Sequence, residues 1–195
     1  MSIFRAASAK LPTTHGVFKI IIYQSDDGLE HVVLVKGEKF KEPVLVRIHS
    51  QCLTGDTFAS LKCDCGEQLH KSLKLINKKG SGIIIYLNQE GRGIGLINKI
   101  KAYELQEQGF DTVQANKELG LPVDMRSYKI AAEILNDLGV CEINLLTNNP
   151  DKQDQLAKYG VKIKNRIPLE IKPNKVDKGY LKTKKQKMSH QLKFV

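Results

Sequence analysis

Three of the chain's four cysteines crowd into CLTGDTFASLKCDCG, from Cys52 to Gly66, while the fourth, Cys141, stands far along the sequence. Any fold must accommodate that cluster, because thiols at such short spacing hold a metal ion, serve as reactive groups or are locked in disulfides. The compartment separates these cases. The opening MSIFRAASAKLPTTHG lacks the apolar core of a signal peptide, and no apolar run approaches the length of a membrane span. A cytoplasmic protein with no membrane partner is therefore expected. There cysteines stay reduced, and a tight group points to metal or catalysis rather than disulfides. A structural zinc site closes on four ligands, whereas a catalytic one takes three protein ligands and keeps a position for water. Cys52, Cys63 and Cys65 thus point to an open zinc able to activate water. Two other readings stay open: three ordinary buried thiols, or a four-cysteine site closed by Cys141. Cys141 opens a predicted buried strand after a helix cap, a common place for a core cysteine.

Around the cluster the apolar pattern changes period. VFKIIIYQ and HVVLVKG are β-branched runs flanking the turn signal SDDG and predict a hairpin, and PVLVRIHS predicts a third strand that ends at the cysteine loop. GEQLHKSLKLINKKG sets Leu69, Leu73 and Ile76 on one helical face, with Gly80 as a stop. Beyond it, SGIIIYL, LINKIKAYELQEQG, SYKIAAEILNDLG, EINLLT, NPDKQDQLAKYG and VKIKNRIPL read as strands and helices in near alternation. The expected fold class is α+β: N-terminal antiparallel strands followed by a small α/β half, in a single domain over residues 1–171. A 41% hydrophobic content is enough for the core of such a domain. Residues 172–195 differ, with eight lysines against one aspartate, or +7 of the chain's net +10. They are expected to form a solvated, mobile tail. No RNP-like aromatic motif accompanies that charge, so no nucleic-acid partner is expected.

Two strand-to-helix corners suit phosphate. In EGRGIG, from Glu90 to Gly95, glycines let backbone N–H groups approach an anion at a helix start, and Arg92 adds a guanidinium that grips phosphate bidentately. The G-x-G-x-G spacing is neither a dinucleotide fingerprint nor a P-loop, and a tight connecting turn would use the same glycines. In TNNPDK, Thr147 follows a strand and Lys152 falls in the first turn of a helix, where a positive charge opposes the helix dipole. A bound anion accounts for that misfit, as does a solvated surface lysine. Two such corners in one small domain point to a polyphosphate ligand. PVDMRSYK places Asp124 and Arg126 two apart before a helix, which is most often a surface ion contact. Tyr103, in mid-helix, reads first as a core aromatic.

Longer stretches carry a resemblance. RIHSQCLTGDTFASLKCDCGEQL, NQEGRGIGLINKIKAYELQEQGFDTVQAN, LLTNNPDK and the terminal YLKTKKQKMSHQL resemble GTP cyclohydrolase II, the entry enzyme of riboflavin synthesis. The resemblance covers nearly the whole chain. It implies a homodimer with one Zn2+ per subunit and Mg2+ on the triphosphate. The implied reaction converts GTP to 2,5-diamino-6-(5-phosphoribosylamino)pyrimidin-4(3H)-one, formate and pyrophosphate. It assigns zinc to Cys52, Cys63 and Cys65. It assigns GTP contacts to Arg47, Ile48, His49, Ser50, Gln51, Gln68, Glu90, Gly91, Arg92, Thr112, Thr147 and Lys152, and catalysis to Tyr103, Asp124 and Arg126.

In the family's mechanism the residue matching Arg126 attacks the α-phosphate, with Asp124 assisting. A guanidinium keeps its proton, with a pKa above about 12, so orienting and neutralising the phosphate is the alternative role. The family motif reads R-V-H-S-E-C; here Gln51 replaces the glutamate, keeping its length, losing its charge and gaining a donor. Some relatives replace the tyrosine and stop at a formylated product; Tyr103 is present, so the full reaction is expected. The rival from another class is a zinc-stapled nucleic-acid-binding module, which calls for four ligands. A same-fold GTP hydrolase with a formylated product is the nearer rival.

Overall fold

The computed structural model describes residues 2–195, so Met1, at the head of the expected domain, lies outside it. Along the chain the elements are β1 (Ile3–Thr13), β2 (Gly16–Ser25), β3 (Glu30–Lys36), β4 (Val44–Ser50), α1 (Leu53–Asp56), α2 (Cys65–Lys79), β5 (Gly82–Leu87), α3 (Gly95–Glu107), α4 (Thr112–Glu118), α5 (Lys129–Asp137), β6 (Glu142–Leu146), α6 (Pro150–Lys158), β7 (Lys162–Ile167) and α7 (Lys178–Lys187). A short 3-10 segment, Glu90–Gly93, precedes α3. Contacts divide the chain into two units. The first comprises residues up to His49, Gln68–Asn88 and Ser127–Leu169; the second comprises Ser50–Glu67, Gln89–Arg126 and Glu170–Val195.

The first unit is built on a sheet ordered β1-β2-β3-β5-β4-β6-β7. β1, β2, β3 and β5 pair antiparallel in succession, and β4, β6 and β7 pair parallel. This is the expected α+β arrangement, antiparallel strands first and an α/β half after. The predicted hairpin forms between β2 and β3, with Ile20 opposite Leu34 and Ile22 opposite Val32. Its turn carries Gly28 at φ +81°, a left-handed conformation that glycine adopts without a Cβ penalty. The third predicted strand, β4, is parted from β3 by β5, which enters between them.

Strands β4 and β5 read as continuous apolar runs because both faces are covered. Val44, Val46, Ile48, Ile83, Ile85 and Leu87 face a core with Tyr128, Ala131, Ile134 and Leu135 of the α5 segment and Leu156 of α6. Leu45 and Ile84 point the other way, into a second core with Leu73 and Ile76 of α2. Each fully buried isoleucine or leucine contributes about 1.5–3 kcal/mol. Strand β1 was not foreseen: apart from Ile3 it lies largely exposed along β2, so it carries no buried-face alternation to read.

The second unit holds the cysteine loop with α1, the 3-10 segment, α3, α4 and α7. Helix α4, also unforeseen, opens on a capping box. The Asp111 carboxylate accepts from the amides of Val113 and Gln114, and the Gln114 side chain accepts from the Asp111 amide. Residues 172–195, expected to be a mobile tail, contain α7. Its inner face is Asp177, Tyr180, Leu181 and Lys184, spaced i, i+3, i+4, i+7, with Asp177 and Leu181 buried. Among the described residues no helix is long and apolar enough to cross a membrane.

Candidate functional site

In the second unit the three clustered thiols converge. The sulfurs of Cys52 and Cys63 lie 3.7 Å apart, and the three Sγ atoms lie within 4.8 Å of one another. Two thiolates on a tetrahedral metal with bonds of about 2.3 Å would stand about 3.8 Å apart, so the spacing suits a metal ion. Glycine makes the convergence possible. A Cβ on Gly55 would sit 2.7 Å from the Cys63 sulfur and 3.3 Å from that of Cys52. One on Gly66 would sit 2.2 Å from the Gly55 carbonyl oxygen. Cys52 is fixed by the turn of α1: its amide donates to Asp56 Oδ2 at 3.0 Å and its carbonyl accepts from the Asp56 amide at 2.7 Å. Cys63, Cys52 and Cys65 form a group that could hold a metal ion; Cys141, expected as a core residue, is exposed instead. Hydrogen bonds with Cys63 and Cys65 hold the Cys52 thiol far below its ordinary range, with help from the Lys99 ammonium. The same bonds push the Cys63 thiol up to about 11 and raise that of Cys65.

Lys99, on α3, reaches the group from beside it. Its Nζ donates to Cys52 Sγ at 3.3 Å, Thr54 Oγ1 at 2.9 Å and Glu90 Oε1 at 2.9 Å. Glu90 Oε2 accepts from the Leu53 amide at 2.6 Å, tying the 3-10 segment to α1. Burial works against the ammonium charge, but Glu90 and Cys52 outweigh it and raise the pKa of Lys99. The Lys99 and Glu90 side chains are 10% and 8% exposed, so each charge depends on the other. Removing one partner of such a pair costs about 3–5 kcal/mol. Lys99→Met is therefore expected to lower the melting temperature by roughly 6–20 °C, at about 2–4 °C per kcal/mol for a chain of this size. Lys99→Met combined with Glu90→Gln should recover most of that loss. Thermal denaturation followed by circular dichroism checks it; a single variant melting like the wild type would mean that the pair stabilises nothing.

Tyr103, one turn further along α3, is half-buried rather than sealed in a core. Lys62 Nζ lies 4.6 Å from its ring centroid and Lys99 Nζ 5.9 Å away. Burial pushes its phenol up to about 12 against an opposing hydrogen bond with Thr54, so it carries its proton near neutral pH. Thr54 thereby links Lys99 to Tyr103.

The 3-10 segment carries an unusual backbone. Arg92 sits at φ 63°, ψ 35°, in the left-handed region, which costs a non-glycine residue about 1–2 kcal/mol. Gly91 adopts the same region beside it. The Met125 amide donates to the Arg92 carbonyl at 2.9 Å and pins the turn. Among the described residues Nη1 of Arg92 is buried without a hydrogen-bond partner, a donor in want of an acceptor. Close by in sequence to that amide, Arg126 and Asp124 form a closed fork. Arg126 Nε donates to Oδ1 and Oδ2 at 2.9 and 3.1 Å, Nη2 to Oδ2 at 2.5 Å, and the Arg126 amide to Oδ1 at 3.0 Å. The pair is 13% and 24% exposed, not the solvated contact its spacing first implies. Although burial raises the Asp124 carboxyl, the Arg126 bonds outweigh it and hold its pKa below the ordinary value. Ser50 Oγ accepts from Gln89 Nε2 at 2.7 Å, Gln51 is half-buried, and half-buried Thr112 opens α4.

The first unit gathers its own polar set. Buried Arg47 donates from Nη1 to the Leu146 carbonyl at 3.1 Å and from Nη2 to Gln68 Oε1 at 2.7 Å, and Nη2 lies 3.3 Å from His49 Nδ1. His49 stacks on Tyr86, centroids 5.4 Å apart. Lys152, in the first turn of α6, is 4% exposed rather than solvated. Its Nζ donates to the Ile48 carbonyl at 2.6 Å and stands 5.1 Å over the Tyr128 ring. Thr147 is buried at the end of β6, its hydroxyl accepting from the Asn149 amide at 3.0 Å. Arg47 and His49 on β4 and Lys152 in the first turn of α6 make an anion-suited constellation within one unit.

Comparison with known proteins bears on these features. The sequence profile described as GTP cyclohydrolase II matches residues 4–168. The riboflavin biosynthesis protein RibBA of Chlorobium phaeovibrioides is 56% identical over 190 residues, covering 96% of this chain and 46% of that protein. RibBA of Bacillus subtilis is 53% identical over 193 residues, covering 97% and 48%. RibBA of Aquifex aeolicus is 54% identical over 189 residues, covering 95% and 47%. The chain spans about half the length of these curated relatives. Among solved structures, RibBX from A. baumannii, a two-domain 3,4-dihydroxy-2-butanone 4-phosphate synthase, aligns with a TM-score of 0.48 at 20% identity, covering 86% of this chain and 40% of that one.

Proposed function

The chain belongs to the GTP cyclohydrolase II family, and from that premise we propose that it opens the imidazole ring of GTP. Formate and pyrophosphate leave, and the product is 2,5-diamino-6-(5-phosphoribosylamino)pyrimidin-4(3H)-one, made in the first step of riboflavin biosynthesis. The observation that carries this reading is the group of three converging thiols, one of them bonded to Lys99, which through Thr54 reaches Tyr103. Three ligands, not four, are what a reactive metal needs.

Each residue then has a task. Cys52, Cys63 and Cys65 hold zinc, which supplies Lewis acidity and an activated water for C8 of guanine. Tyr103 keeps its proton and orients the reacting groups as a hydrogen-bond donor. Arg126, pre-aligned by Asp124, neutralises and orients the α-phosphate rather than attacking it. Arg92 and Lys152 take up the charge that builds on the departing pyrophosphate, together with Mg2+. Arg47, Ile48, His49, Ser50, Gln51, Gln68, Glu90, Gly91, Thr112 and Thr147 complete the GTP contacts. Gln51 serves there as a neutral donor and acceptor. The active form is a cytoplasmic homodimer with one zinc per subunit. Its catalytic domain spans 1–171, with the α7 segment beyond it joining the unit of the cysteine loop, and it needs neither nucleic acid nor membrane.

The test is to incubate the protein with GTP, Zn2+ and Mg2+ and identify the products by mass. The diaminopyrimidine is expected. A formylated product would move the chain to the neighbouring reaction class. Intact GTP, with tight and salt-sensitive binding to DNA or RNA, would favour the zinc-stapled module instead.

A further inference from the structure

Helix α7 is tied to the second unit by buried charge. Lys184 Nζ lies 3.3 Å from Asp64 Oδ1, with side chains only 12% and 2% exposed. Asp64 is the residue between the two thiols Cys63 and Cys65. The same ammonium stands 4.4 Å from the Tyr180 ring centroid, and the Arg92 guanidinium stands 5.7 Å from it. Ahead of the helix, Asn174 Nδ2 donates to the Leu61 carbonyl at 3.1 Å, and Asp177 Oδ1 accepts from the Asn174 amide at 2.8 Å. Lys187 pairs with Asp111, next to the start of α4. A lysine-rich helix with no task beyond solubility would turn all its ammonium groups to water. Lys182 is exposed in that way, and Lys185, also exposed, reaches only the C-terminal Val195 oxygen; Lys184 gives up most of its hydration to meet one carboxylate.

We propose that α7 is a working part of the site, with Lys184 and Tyr180 as positioning residues. Lys184 fixes Asp64 and so the backbone that carries the Cys63 and Cys65 sulfurs, in the way an outer-sphere partner orients a metal ligand. Tyr180 offers its ring face to the Arg92 guanidinium, whose Nη1 is buried without a hydrogen-bond partner among the described residues. One helix thereby sets both the metal loop and the phosphate-binding arginine. The Arg92 half rests on the reaction proposed above; the Asp64 half needs only a metal on the thiols.

The experiment uses the full chain carrying Lys184→Met, Asp64→Asn, Tyr180→Leu or Tyr180→Phe. Zinc affinity is measured first, without GTP, by competition with a chromophoric chelator. Lys184→Met is expected to weaken zinc about 10–100-fold, and both Tyr180 variants to leave it unchanged. Steady-state kinetics follow. Tyr180→Leu is expected to raise KM for GTP about fivefold while Tyr180→Phe, which keeps the ring, stays near wild type. Wild-type zinc affinity in Lys184→Met overturns the clamp, as does equal impairment of Tyr180→Leu and Tyr180→Phe for the arginine contact. If Lys184→Met does not fold, Asp64→Asn decides: a comparable loss supports the clamp and wild-type affinity overturns it. A wild-type protein inert toward GTP would defeat the proposed reaction, and with it the Tyr180 role, while the zinc titration would still judge Lys184.

Discussion

Cys65→Ser is expected to give a folded protein that still releases pyrophosphate from GTP and releases almost no formate. A serine hydroxyl is a far poorer zinc ligand than a thiolate, and two thiols do not hold the ion in its place. No other group of the site activates water for C8 near neutral pH: Tyr103 keeps its proton and Lys99 is held as an ammonium. Formate should therefore fall to about one hundredth of wild type or less, the scale of a single essential catalytic group. Arg126 and Asp124 hold one another rather than the thiols, so the phosphate step persists in part. GTP then leaves largely as GMP. Formate and pyrophosphate are followed separately, with circular dichroism to establish folding. Loss of both together in an unfolded variant would mark the metal as structural. Formate at the wild-type ratio from verified zinc-free protein would remove the metal from the chemistry.

Arg126→Ala is expected to have the complementary effect, lowering pyrophosphate release about 10²–10³-fold, the loss seen when one preorganised charge stabiliser is deleted. Zinc stays bound, because the thiols are untouched. Two things are lost at once. The α-phosphate loses a guanidinium already aligned by Asp124, and that carboxylate, only 24% exposed, is left as a negative charge near an anionic substrate. Arg126→Lys should rescue little, since an ammonium cannot fill the bidentate fork. Pyrophosphate release close to wild type in either variant would exclude Arg126 from the step.

The parts of the fold that face a core were open to reading. β2 and β3 put apolar side chains at a period of two and α2 and α5 at a period of 3.6 because those side chains are buried, while β4 and β5, covered on both faces, read as unbroken apolar runs. β1 was hidden because it is an exposed edge, and α4 because seven residues give too little periodicity and only its capping box marks it. Helix α7 was hidden by its lysines. Of the residues on its inner face only Leu181 is aliphatic, and a buried Lys184 looks in sequence like its solvated neighbours. The site divides the same way. The cysteine spacing told of the metal group, and TNNPDK told of a lysine out of place, which proves to be buried. Lys99, Thr54 and Gly55 carried no signal: a lysine in an amphipathic helix is ordinarily solvated, and the need for glycine under the sulfurs exists only once the loop has closed. The strained backbone of Arg92 was likewise invisible, though its place between two glycines is where such a turn is tolerated.

The most direct test of ring opening at the three-thiol centre follows a single atom. Zinc-loaded wild-type protein is incubated with Mg2+ and GTP carrying carbon-13 at C8, with carbon NMR and a pyrophosphate assay run on the same sample. The label is expected to appear as free formate, one formate for each pyrophosphate. Label retained in a formylated pyrimidine, or pyrophosphate released while the purine stays intact, would contradict the account.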